Sequence, residues 1–317
     1  MASPAARASL SRQFLSRFVA SAAVTLFSFA LALILVASPA DAQGRKKDKG
    51  RPKASPLRSL SVPKVLRQFE LKDFGSHVVR FGRLTKGDAV SALFVQTNYD
   101  REITCITAMS LEDGDVLWQL GTPSKKGFKA SSEIPIQVYD WNQDGVDDII
   151  FAQAGQVVVA NGADGVTLAT APAETPYSLF VYQTAQFGGA AGLILHGRFS
   201  TTLLDPDLKV AWTQPNEFSH FPMSLDVDSD GEPELLAGYR LFRSNGELLW
   251  DHKDFGAHND ASDFGDMDCD GQRDIAIATS GKSAALEVDG SVLWRGVENH
   301  SQHITIGSFQ AGGCQKQ

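Results

Sequence analysis

A period of about 40 residues restricts what this chain can fold into more than any other feature of its sequence. Its clearest mark is an acidic nonapeptide, D-x-[DN]-x-D-G-x-x-[DE], at 140–148, 226–234 and 266–274, with starts 86 and then 40 residues apart. A second mark is a tight turn running into Leu-Trp. Copies contain Asp113-Gly114 before Trp118, Asn245-Gly246 before Trp250 and Asp289-Gly290 before Trp294. Asp164-Gly165 precedes Leu168 instead, and Asp205-Pro206-Asp207-Leu208 before Trp212 lacks the glycine. Asp-Gly and Asn-Gly favour the positive φ angles of a two-residue hairpin, so each copy reads as strand, turn, strand, with the Trp packed between layers. From Val78 onward, short runs of Val, Ile, Leu, Phe and Tyr alternate with turn residues, and no long helical pattern intervenes.

A period near 40 that holds four short strands is the mark of a β-propeller blade. The expected fold class is therefore all-β, a β-propeller of four-stranded blades. Blades are expected at about 78–121, 133–172, 177–214, 221–255 and 258–298, within a propeller domain over 68–317. A sixth begins at His303-Ile304-Thr305-Ile306-Gly307, which gives the expectation of an incomplete ring, because each blade needs neighbours on both sides.

The acidic nonapeptides read as calcium sites on strand-loop-strand turns. Calcium takes six to eight oxygens at short range, which requires several carboxylates folded back on one point. Positions 1, 3, 5 and 9 supply Asp140, Asn142, Asp144 and Asp148 in the first copy. They supply Asp226, Asp228, Asp230 and Glu234 in the second, and Asp266, Asp268, Asp270 and Asp274 in the third. A glycine at position 6 permits the sharp turn, and the carbonyl at position 7 completes the shell. These are not EF-hands: position 12 holds Phe151, Ala237 or Ile277, and the flanks are strand-like. Ordinary Asx turns are the plain alternative for one such loop, but three with one spacing favour the cation.

Ahead of this body, Arg7, Arg12 and Arg17 precede an apolar run from Phe18 to Ala37 and the triplet Ala40-Asp41-Ala42. The pattern is that of a signal peptide over 1–42 cut after Ala42. An uncleaved anchor is the rival, and both place the body outside the cytoplasm. Residues 43–67 are expected to form a basic disordered linker, with nine Lys/Arg between Arg45 and Arg67 against Asp48 alone. The remaining body then carries about −18 of charge, which argues against nucleic acid and for bound cations. The expected protein is a monomer, secreted or at the periplasm or cell surface.

Three cysteines, Cys105, Cys269 and Cys314, allow at most one pair, and the plain reading is free or buried thiols. CxxC, HExxH, GxSxG and P-loop motifs are absent. Histidines precede the first strand of several blades, at His77, His220, His258 and His303. His196, His252 and His300 are less regularly placed. Equivalent positions of successive blades surround the axis, so such imidazoles could converge at one mouth, to bind a transition metal or hold a base. A turn that merely tolerates imidazole is the alternative.

Strands around D-x-D-x-D-G-x-x-[DE] loops at blade spacing resemble the FG-GAP/VCBS propellers related to the integrin α-chain head. Between Leu235 and Gly307 the order of Ala237-Gly238-Tyr239-Arg240, Ala257-His258-Asn259-Asp260-Ala261 and Asn299-His300-Ser301-Gln302-His303 is similar to the propellers of rhamnogalacturonan lyases of polysaccharide lyase family 11. That resemblance implies calcium as cofactor, a polysaccharide or cell-surface glycan as partner, and β-elimination next to a uronate. Such chemistry needs a cation or Arg on the sugar carboxylate and a base at C5. His258 or His303 would be the base and Tyr239 an acid, with Arg240 or Arg198 on the carboxylate. Neighbours in a strand point to opposite faces, so Tyr239 and Arg240 are not expected to serve one site together. A non-catalytic glycan-binding or adhesion propeller, and a quinoprotein-like enzyme, are the other classes.

Overall fold

The computed structural model describes residues 63–307 apart from 88, 99, 101, 126–133, 175, 217–218, 257 and 297–299. The expected signal peptide, nearly all of the expected linker, and residues 308–317 lie outside the described residues. The sheets all belong to one compact unit, Val65–Gln317.

Among the described residues, twenty strands form five four-stranded antiparallel sheets, each a meander in chain order. Sheet 1 holds β1 (Val78–Gly82), β2 (Ser91–Thr97), β3 (Ile103–Ser110) and β4 (Val116–Gly121). Sheet 2 holds β5 (Ile136–Tyr139), β6 (Asp148–Gln153), β7 (Gln156–Ala160) and β8 (Thr167–Pro172). Sheet 3 holds β9 (Ser178–Gln183), β10 (Ala191–His196), β11 (Ser200–Leu204) and β12 (Val210–Pro215). Sheet 4 holds β13 (Met223–Leu225), β14 (Glu234–Ala237), β15 (Arg240–Phe242) and β16 (Leu248–Asp251). Sheet 5 holds β17 (Asn259–Gly265), β18 (Asp274–Thr279), β19 (Ala284–Leu286) and β20 (Val292–Arg295). First strands lie beside one another, β1 by β5 and β5 by β9. The fourth strands of sheets 1 to 3 hold only exposed and half-buried residues, and that of sheet 5 is exposed throughout. The architecture is that of a blade-type β-propeller, with first strands innermost.

The middle strands of sheets 1 to 4 are apolar on both faces because each of these sheets is covered twice. Ile106 and Ala108 of sheet 1 meet Ile136, Ile149 and Phe151 of sheet 2. Ile150 and Val157 of sheet 2 meet Leu193 and Leu204 of sheet 3. Tyr182 and Ile194 of sheet 3 meet Leu235 and Phe242 of sheet 4, and Leu236 and Leu241 meet Ile275 and Ile277 of sheet 5. The other face of sheet 1, with Ala92, Phe94 and Met109, is covered by Phe69, Leu71 and Phe74 of the segment ahead of β1. Arg67, expected in the linker, donates from Nη1 to the carbonyls of Leu111 and Glu112 in the β3–β4 turn.

The two repeated marks interlock. Trp118 donates from Nε1 to the Gly162 carbonyl at 2.6 Å, Trp212 to Ser244 at 3.0 Å and Trp250 to Val288 at 3.0 Å, each in the following sheet's third turn. The rings lie on the turn glycines: a Cβ on Gly165, Gly246 or Gly290 would come within 3.1, 2.9 or 2.8 Å of a Trp ring atom. Phe69 takes this place over Gly114 of sheet 1. Where sheet 2 has Leu168 instead of Trp, the next turn carries Leu208 at φ 62°, its side chain buried between sheets 2 and 3.

The turn type differs from the expected two-residue hairpin. Gly114, Gly165, Gly246 and Gly290 have positive φ, but the Asp or Asn before each does not. In all five sheets the register shifts by one where the third strand enters the turn. One left-handed residue plus a bulge builds this hairpin, whereas a type I′ turn needs two.

Trp250 is 8% exposed, whereas Trp294, its counterpart in the fifth sheet, is 46% exposed. Trp250→Ala is expected to destabilise by about 3–5 kcal/mol and Trp294→Ala by less than about 1 kcal/mol. Urea denaturation midpoints of the two variants check the difference.

Candidate functional site

The three acidic loops join the first to the second strand of sheets 2, 4 and 5, and they share one backbone. Position 4 is left-handed in each, at Gln143 (φ 59°), Ser229 (φ 63°) and Cys269 (φ 72°), as is the glycine at position 6. Asp140, Asp226 and Asp266 each accept the N–H of Gly145, Gly231 and Gly271 at 3.0, 3.0 and 3.1 Å. The acid at position 9 closes the loop, accepting from Trp141, Val227 or Met267 at 3.1, 3.1 and 2.5 Å. This closing acid begins the second strand and is fully buried: Asp148 is 0%, Glu234 1% and Asp274 0% exposed. Burial, the largest cause, pushes all three carboxyls above their usual range. Asp148 Oδ1 and Asp226 Oδ1 are buried without a hydrogen-bond partner. Oxygens of Asp226, Asp228 and Asp230 lie within 4.8 Å of one another, as do those of Asp266, Asp268 and Asp274. Buried, unpartnered carboxylate oxygens beside further carboxylates fit an oxygen-loving cation such as calcium.

A different cluster forms on the opposite edge of the sheets. His220 precedes β13, His258 precedes β17 and His300 follows β20. All three surround Asp260, the second residue of β17. Asp260 Oδ1 lies 3.2 Å from His258 Nε2 and 3.6 Å from His220 Nε2, and Oδ2 lies 3.7 Å from His300 Nε2. The rings pack edge to face, with centroids 5.3 Å apart for His220 and His258 and 5.4 Å for His258 and His300. Asp260 is 7% exposed and its Oδ2 has no hydrogen bond. Ligand atoms of His220, His258 and Asp260 lie within 4.8 Å of one another. Three N/O donors with an open side form the pattern of a transition-metal site, and an imidazole against a carboxylate is also a base dyad.

Of the residues singled out for catalysis, His258 alone belongs to this cluster. His303 is exposed three residues beyond His300. Tyr239 is fully buried, edge to face with Phe255 in the core of sheets 4 and 5. Arg240 is buried and donates to Asp251 at 3.0 Å and to the Pro215 carbonyl. Arg198 lies over the ring of exposed Phe199 in the β10–β11 turn. His252 stacks on Phe255 and bonds the Gly290 carbonyl at 2.7 Å. Cys105 is a buried free thiol, but Cys269 is disulfide-bonded, contrary to the plain reading of unpaired thiols. Asp260 carried no signal beyond its place in the lyase-like motif. His220 meets it because sheets 4 and 5 are neighbours, and His300 because the segment after sheet 5 returns to the same edge.

His196 supports this edge from beneath. Fully buried, it places Nδ1 2.9 Å from both Thr201 Oγ1 and Asn216 Nδ2, and Nε2 3.0 Å from Ser219 Oγ. Ser219 adjoins His220 and pairs in parallel with Asn259, between His258 and Asp260.

No protein-family model matches the sequence, and no curated protein does. Solved structures share the fold. A rhamnogalacturonan lyase of polysaccharide lyase family 11 from Bacillus licheniformis is 15% identical with a TM-score of 0.57, over 72% of this chain and 51% of that one. The exotype rhamnogalacturonan lyase YesX is 17% identical at 0.56, over 72% and 49%. The V. cholerae biofilm matrix protein Bap1 is 18% identical at 0.54, over 70% and 39%. This chain thus spans about half or less of these structures, and the likeness is one of fold.

Burial lowers the His196 pKa to about 4 from an ordinary 6.5. The unfolded chain therefore binds more protons between these values. Stability present above pH 6.5 is lost as pH falls towards 4, by about 3 kcal/mol. Melting temperature against pH should show this acid loss, and it should flatten in His196→Gln.

Proposed function

We propose that the chain is an exported, calcium-stapled propeller that cleaves uronate-containing polysaccharide by β-elimination at the His220, His258, His300 and Asp260 mouth. The observation that carries this reading is the meeting of three imidazoles, from the entries of sheets 4 and 5 and from the segment after sheet 5, on one buried carboxylate. Elimination next to a uronate needs positive charge on the sugar carboxylate. Arg240 does not supply it, being held by Asp251, whereas a divalent cation on His220, His258 and Asp260 would. His300, the most exposed of the three and 3.1 Å from Gln302 Nε2, is left to take the C5 proton. The signal-like segment and the acidic body support an extracellular place, and the rhamnogalacturonan lyases of like fold support the substrate class. The exposed Phe199 and Arg198 on the same edge favour a second reading, a glycan-binding propeller without catalysis.

The acidic loops are structural in this reading. At about millimolar calcium, and with affinities of about 10⁻⁴ to 10⁻³ M, each site contributes roughly 0.4 to 1.4 kcal/mol. A chelator is therefore expected to lower the melting temperature by a few degrees, and calcium to restore it.

Incubation with pectic polymers should raise ultraviolet absorbance as unsaturated ends form. His300→Ala should abolish the rise while leaving the calcium-dependent melting shift intact. Polymer binding with no absorbance change in the unaltered protein would favour the binding module instead.

A further inference from the structure

The three acidic loops match in sequence and backbone, yet what faces each from the neighbouring turn does not. In sheet 4 that turn begins with Arg243, whose N–H bonds the Glu247 carbonyl at 2.8 Å and whose carbonyl accepts from Gly246 at 2.9 Å. Glu287 occupies the same place in sheet 5, with Ser291 at 2.9 Å and Gly290 at 3.0 Å. Both line a cleft of about 620 Å³ together with Asp228 and Asp270, so the two turns look onto the second and third loops.

Their charges are opposite. Arg243 Nη1 lies 3.7 Å from Asp228 Oδ2, 3.7 Å from Asp230 Oδ2 and 4.0 Å from Glu234 Oε1, three of the four acids of the second loop. Arg273 donates to the Asp226 carbonyl of the same loop at 2.7 Å. Glu287 instead brings a carboxyl to the cleft that Asp270 and Gln272 of the third loop line.

We propose that Arg243 is the resident cation of the second loop, so that the three loops are unequal calcium sites: the second is closed by its own guanidinium and the third is strengthened by Glu287. This rests on the calcium reading of the loops. Calcium entering the second loop would have to displace a guanidinium centred on the same carboxylates, because neither cation tolerates the other within a few ångströms. Calcium entering the third gains an oxygen donor, and the count of ligand charges tunes affinity in such loops.

Calorimetric titration of the full chain with calcium is the test, together with melting in chelator. The unaltered protein should bind the second loop's calcium at least about tenfold more weakly than the third's. Arg243→Gln should add one tight site and melt lower than the unaltered protein in chelator, while Arg243→Lys should keep the original chelator melting. Glu287→Arg moves the guanidinium to the third loop and should remove one tight site, which provides a check should Arg243→Gln fail to fold. Equal sites in the unaltered protein, or an unchanged site number in both Arg243→Gln and Glu287→Arg, would overturn the proposal. If no loop takes up calcium, the calcium reading fails by itself. Lower melting of Arg243→Gln in chelator would then still support the guanidinium as the loop's counter-ion, and equal melting would overturn that too.

Discussion

Every sheet in this protein has two apolar faces, and neither can be left in water. Middle strands with buried residues on both sides, such as the fully buried β10 or β18, need an apolar cover on each side. The radial stacking follows from that demand. So does the use of Phe69, Leu71 and Phe74 to cover sheet 1, where aromatic and aliphatic side chains replace a neighbouring sheet. The Trp-on-glycine contact locks the stacking angle, because an indole can lie flat on a turn only where no Cβ intervenes.

Stacking also creates the two polar edges. At one edge the first connection of a sheet must reverse tightly, and the acidic loops do so with Asx bonds that leave carboxylates crowded around one point. Their closing acids sit at the start of buried strands, where desolvation makes an unaccompanied charge costly. A cation relieves this whether it is calcium or a guanidinium, which is why Arg243 and Glu287 at one position give like loops different characters. At the other edge the entry segments of sheets 4 and 5 and the segment after sheet 5 lie side by side. Histidines distant in sequence therefore share Asp260.

The fold was legible in the sequence because spacing carries it. A period near 40, alternating apolar runs and repeated turns require no knowledge of partners, and strand-loop-strand context followed from β-like flanks on each acidic nonapeptide. The hairpin type was less legible: Asp-Gly suits both a type I′ turn and a single left-handed glycine with a bulge, and packing of the Trp ring selects the second. The candidate site was legible only in outline. His258 stood out by its place before a strand, whereas Tyr239 lies in the core of sheets 4 and 5 and Arg240 pairs with Asp251.

Local interactions, then, were written in the residues themselves: four-stranded sheets, tight acidic turns and their left-handed positions depend on neighbours within a few residues. Only tertiary structure decided which side chains meet across sheets. Asp260 with His220 and His300, Arg243 in the second loop, and Ser219 on buried His196 join residues from separate strands and turns. Their distances are fixed by how sheets pack rather than by the order of residues along the chain.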